Sequence, residues 1–148
     1  MAHYAENRKV YFNYEILEKY EAGIELLGVE VKSVRGGKMS LDGAFVVVRG
    51  GEVFLISANV QPYQVNNMPK DYDPLRNKKL LLTKKEIATL TGSEKNKSLT
   101  IVPISVYNKG RKIKVEIALV KGKKKADKRE TIKKRETDRE IRREYKER

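Results

Sequence analysis

Two carboxylate pairs, Glu25 with Glu30 and Asp71 with Asp73, come closest in this chain to the grouping that general acid–base chemistry uses. In a chain whose residues are 36% charged, such carboxylates mostly serve as surface partners of lysine. Other catalytic equipment is sparse. His3 is the only histidine and lies near a terminus. Cysteine is absent, which removes thiolate nucleophiles, disulfides and thiolate metal sites. The Gly36-Gly37 and Gly50-Gly51 pairs lack the Gly-x-x-x-x-Gly-Lys-Ser/Thr spacing that cradles nucleotide phosphate, and no metal-ligand spacing occurs. The expectation is a protein with no catalytic residues, no metal and no cofactor.

Cations are abundant instead. The net charge is +13, which draws polyanions, nucleic acid ahead of an anionic membrane surface. Arg76, Lys78 and Lys79 follow the Asp73-Pro74 turn and lead into Leu80-Leu81-Leu82. Lys84 and Lys85 fall in the first turn of a helix, where the dipole disfavours cations and an external anion would compensate. Tyr63 and Tyr72 sit in a long loop, either to stack on unpaired bases or to cover an edge of the core.

The elements that must position these groups are short. Asn13 as N-cap, Ile16, Leu17 and Tyr20 on one face and Gly23 as terminator suggest a helix, followed by a strand from Ile24 to Val29. Val31–Val34 reads as one helical turn before Gly36-Gly37. Ala44–Arg49 and Glu52–Ile56 flank Gly50-Gly51, a two-residue hairpin signal. Residues 57–82 carry Pro62, Pro69 and Pro74 and read as a long irregular connection. Thr83 and Glu86 have capping-box spacing, with Gly92 as the stop. Leu99–Tyr107 reads as a strand whose Pro103 requires an edge or a bulge. Ile113, Val115, Ile117 and Leu119 alternate with Lys112, Lys114, Glu116 and Ala118, the cleanest half-buried strand in the chain. About five strands that do not alternate with helices suggest a mainly β fold: a closed antiparallel β-barrel, OB-fold-like, with about three helices outside it.

Charge divides the chain. Residues 121–148 carry +7 and the preceding 120 residues +6. In that last stretch Ile132, Ile141 and Tyr145 are the only sizeable apolar side chains, too few to offset the entropy of ordering it. The expected division is a folded body over 1–120 and a basic tail over 121–148, unfolded alone. Lys, Arg and Glu dominate the tail, and Glu130–Lys134 and Asp138–Arg142 attract at i,i+4, so it can become helical on a partner. No apolar run reaches the ~20 residues of a membrane span, and the N-terminus lacks a signal-peptide core, so a cytoplasmic location without a membrane partner is expected.

Seven ordered segments resemble the SmpB, or SsrA-binding protein, family. They are Tyr20-Glu21-Ala22-Gly23-Ile24, Gly28-Val29-Glu30-Val31-Lys32-Ser33, Gly37-Lys38, Asp73-Pro74-x-Arg76-x-Lys78-Lys79-Leu80-Leu81-Leu82, Lys85-Glu86-Ile87, Lys114-Val115-Glu116-Ile117-Ala118-Leu119 and Lys121-Gly122-Lys123-Lys124-x-x-Asp127-Lys128-Arg129. The resemblance implies a non-catalytic, monomeric adaptor. Its body would bind the tRNA-like domain of transfer-messenger RNA (SsrA RNA). Together with elongation factor Tu it would deliver that RNA to stalled ribosomes for trans-translation. Glu21, Leu81 and Lys114 match family RNA-binding positions, and Glu30, Lys32, Arg76, Lys78, Lys79, Lys84 and Lys85 are expected beside them. Leu81, on its own chemistry, reads as core. Lys121, Gly122, Lys123, Lys124, Asp127, Lys128 and Arg129 match the tail segment that would probe the decoding centre and empty mRNA channel of the small subunit. Tyr72 and Ala126 stand where the family usually has His. The competing expectation is another OB-type translation component or ribosomal RNA-binding protein.

Overall fold

Strand parity, reset by bulges, organises this chain. The computed structural model describes residues 3–62, 70–96 and 98–122. In order they form β1 (His3–Glu6), α1 (Lys9–Asn13), β2 (Tyr14–Ile24), α2 (Gly28–Arg35), β3 (Met39–Ser40), β4 (Phe45–Arg49), β5 (Glu52–Ile56), β6 (Asn59–Val60), β7 (Lys78–Leu81), α3 (Lys84–Glu94), β8 (Leu99–Lys109) and β9 (Lys112–Gly122). The fold is mainly β with three short helices, as expected, but with nine strands among the described residues rather than five.

Seven strands make one sheet in the order β1-β8-β4-β5-β7-β2-β9, and β9 also pairs with β8. The run of pairings from β8 through β4, β5, β7, β2 and β9 therefore returns to β8. All of these pairings are antiparallel. β3 and β6 form a separate two-stranded ladder.

The β4–β5 hairpin follows the sequence closely. Gly50 and Gly51 have φ of 57° and 75°, left-handed values that a side chain would strain, and Arg49 pairs with Glu52 across them. The α3 capping box also forms: Thr83 Oγ1 accepts from the Glu86 amide at 3.2 Å, and Glu86 Oε1 accepts from the Thr83 amide at 3.1 Å. Gly92 does not stop this helix, which continues to Glu94.

Two expectations are overturned. Residues 14–24 are not a helix but an 11-residue strand, paired with β9 from Tyr14↔Gly122 to Gly23↔Lys114. A long ladder supplies more order here than a five-residue apolar spacing could. The strand expected from Ile24 stops there, and Gly28 opens α2 instead. Leu27 has no capping side chain, but Glu30 Oε1 accepts from its amide at 2.8 Å and closes the helix start from within.

Bulges explain why two layers of apolar residues exist. In β8 the register shifts between Pro103 and Ser105. Ile101 and Val106 face the main core, whereas Val102 and Ile104 join a smaller cluster with Val10, Ala118 and Val120 on the opposite face. β2 shifts between Ile16 and Glu18, so Tyr14 and Ile16 pack on that smaller cluster while Tyr20, Ala22 and Ile24 reach the main core. Fully buried Leu41, Leu55, Leu80 and Leu90 anchor the main core, each stabilising by roughly 1.5–3 kcal/mol on burial.

The folded body does not end at Val120. Lys121 and Gly122 belong to β9, opposite Glu15 and Tyr14, which corrects their assignment to the tail. Lys123, Lys124, Asp127, Lys128 and Arg129 lie outside the described residues.

Candidate nucleic-acid interface

Strand alternation decides which members of the Arg76–Leu82 segment reach solvent. On β7, Lys78 and Leu80 point inward and Lys79 and Leu81 outward. Leu81 is therefore 48% exposed, a correction to its reading as core. It pairs with Gly23 of β2, where an added Cβ would lie 3.2 Å from the Leu81 Cβ. Glycine thus lets the leucine side chain lie across the neighbouring strand.

Leu81 and Gly23 help to line a cavity of about 340 Å³. Ile24, Leu26, Val31 and Ile113 supply its apolar surface, and Arg35, Arg111, Lys112 and Lys114 supply cations. Among the described residues no carboxylate lines it. Arg35 donates from Nη2 to the Arg111 carbonyl at 3.0 Å, tying α2 to the β8–β9 turn. An apolar surface edged by cations suits a base or ribose together with its phosphates.

Lys78 is wholly buried and cannot reach an outside ligand in this arrangement. Its Nζ donates to the carbonyls of Ala58 and Arg76 at 3.0 and 2.7 Å. Burial lowers its pKa, against the raising influence of Glu30. Glu30 is equally buried. Arg76 donates to it from Nη2 at 2.6 Å, and Tyr72 from its phenol at 3.3 Å. Burial pushes the Glu30 carboxyl up, but hydrogen bonds from Arg76 and the Leu27 amide outweigh it and leave the pKa below the ordinary value. Glu30 and Lys78, expected as RNA contacts, are corrected to buried residues that hold the 72–78 segment in place, Glu30 against α2 and Lys78 against the Ala58 carbonyl. Tyr72 also donates to the Val60 carbonyl at 2.8 Å, which fits its reading as an edge cover. Tyr63 lies outside the described residues.

The other expected cations are on the surface. Lys32, Lys84 and Lys85 are exposed, Lys79 is half-buried and pairs with Glu52 at 3.2 Å, and Lys114 is half-buried at the cavity. Glu21 accepts from Lys109 at 3.0 Å and from the Tyr107 phenol. These bonds, Tyr107 first and Lys109 second, lower its pKa. The structure brings Leu81 and Lys114 into one cavity and leaves Lys84 and Lys85 on α3. Sequence reasoning missed Arg35, Arg111 and Lys112, because only tertiary packing joins the β8–β9 turn to α2.

Among the described residues no His/Cys/Asp/Glu group could hold a metal, and no helix is long and apolar enough to cross a membrane.

The chain matches the family model described as SmpB protein over residues 4–147. It is 51% identical to the SsrA-binding protein of Mesoplasma florum, covering 96% of this chain and 95% of that protein. It is 48% identical to that of Mycoplasma mycoides subsp. mycoides SC, with 95% of each covered. It is 46% identical to that of Thermosynechococcus vestitus, covering 97% and 95%. Among solved structures, it resembles a chain from "tmRNA-SmpB: a journey to the center of the bacterial ribosome", with TM-score 0.67, 41% identity and coverage of 86% and 92%.

Proposed function

Because the chain belongs to the SmpB family, we propose that it is a non-catalytic adaptor that binds the tRNA-like domain of transfer-messenger RNA and brings it to stalled ribosomes for trans-translation. The observation that carries the RNA-binding part is the cavity beside Leu81, apolar within and edged by Arg35, Arg111, Lys112 and Lys114. The circuit of strand pairings from β8 back to β8 supports a closed, OB-like barrel, whose surface commonly serves nucleic acids. The body binds RNA, and the segment after Gly122 supplies a basic tail that becomes helical in the decoding centre and vacant mRNA channel. Lys123, Lys124, Asp127, Lys128 and Arg129 act there. The adaptor works as a cytoplasmic monomer, in a delivery complex with elongation factor Tu.

The test is the RNA that copurifies with the full chain from a bacterial host. Transfer-messenger RNA is the expected species; a predominance of ribosomal RNA would favour a ribosomal component instead. Deleting residues 123–148 should keep most RNA affinity and abolish tagging on stalled ribosomes, while large loss of affinity would overturn the division between body and tail.

A further inference from the structure

The Pro103 bulge has a second product. Before it, the odd residue Ile101 faces the main core; after it, the even residue Val106 does. Tyr107 therefore turns to the outer face of the sheet. There its phenol reaches Glu21, although β9 lies between the two strands. Lys109, on the same face of β8, reaches the other Glu21 oxygen at 3.0 Å. Tyr107 is only 6% exposed, and the His3 ring packs edge-on against it at 6.0 Å. Both carboxylate oxygens are thus engaged by the protein. Lys109 immediately precedes the Gly110-Arg111 turn whose Arg111 and Lys112 line the cavity.

We propose that Tyr107 and Lys109 are positioning residues for RNA recognition, and that Glu21 acts through them rather than by touching RNA. The clamp fixes the end of the β8–β9 hairpin, and with it the cations of the cavity. It also neutralises a carboxylate that would otherwise repel phosphate. The two bonds take one acceptor site on each carboxylate oxygen and hold the side chain against the sheet, and a phenol this deep cannot itself be the contact. The inference rests on the RNA-binding reading above and adds residues to it.

The test is a double-mutant cycle on the full chain, using transcribed transfer-messenger RNA and its salt-dependent affinity. Wild-type binding must be seen first; its absence would defeat the RNA-binding reading rather than the clamp. Tyr107→Phe keeps the ring and removes only the hydroxyl. Losing a hydrogen bond to a charged acceptor should weaken binding by about tenfold, with the thermal midpoint recorded for each variant. Glu21→Gln should weaken it similarly, and the two together little more than either alone. Lys109→Gln should weaken binding too, and Glu21→Gln should add little to it. Loss of binding in Glu21→Gln with wild-type affinity in Tyr107→Phe and Lys109→Gln would overturn the proposal, since it would mean direct contact by Glu21. Fully additive effects would overturn it as well.

Discussion

Glu30 Oε1 lies 2.6 Å from Arg76 Nη2 and receives the Leu27 amide at 2.8 Å, so one buried carboxylate oxygen joins the start of α2 to the segment that enters β7. Removing one partner of such a pair leaves the other uncompensated. Glu30→Ala should destabilise the fold by about 3 kcal/mol, the low end of the range for buried pairs because Arg76 keeps some contact with solvent. Urea denaturation of the full chain measures this, and a loss under about 1 kcal/mol would place the pair among ordinary surface bridges.

The same carboxylate sets an acid dependence. Its folded pKa is below its unfolded value, so its contribution is present above the unfolded pKa and is lost as pH falls through the folded one. Glu21 has the same sign, from Tyr107 and Lys109. Denaturation midpoints should therefore hold down to the ordinary carboxylate value of about 4.5 and fall below it, and Glu30→Gln should flatten that fall. The phenols work in the opposite sense. Burial and Glu30 raise Tyr72 to about 12, and burial with the Glu18 hydrogen bond raises Tyr20 to about 12. Their stabilisation is complete below the unfolded value of about 10 and disappears as pH climbs toward the folded value. Tyrosinate absorbance in the folded protein should appear late for both, and Tyr72→Phe should remove part of the late-titrating signal.

Leu81 separates binding from stability. At 48% exposed, it contributes little to the core. Leu81→Ser should change stability by less than about 0.5 kcal/mol. Its effect on transfer-messenger RNA affinity should be larger, about 1 kcal/mol, the worth of covering the exposed half of a leucine side chain. Equal losses in both measurements would return Leu81 to a packing role.

Much of this was legible because local chemistry agreed with the fold. Gly50-Gly51 gave the turn, Thr83 and Glu86 the cap, and the Lys112–Leu119 alternation a strand. Pro103 announced its bulge. Residues 14–24 were misread because the shift between Ile16 and Glu18 breaks period-two alternation, leaving Ile16, Leu17 and Tyr20 at helical spacing. The buried state of Lys78 was hidden by composition, since adjacent lysines look alike. Parity could have exposed it: if Leu80 faces the core, so must the residue two before it. The Glu21 clamp could not be read, because Tyr107 lies 86 residues away and turns outward only after the bulge.

β9 is hydrogen-bonded on both sides, to β2 and to β8, as far as Lys121. Tension applied at Gly122 along the strand axis therefore loads two antiparallel ladders in shear, with many bonds sharing the force. A chain end leaving an edge strand sideways would instead peel, one bond at a time. Whatever is pulled beyond Gly122 is moored to a strand held along both edges.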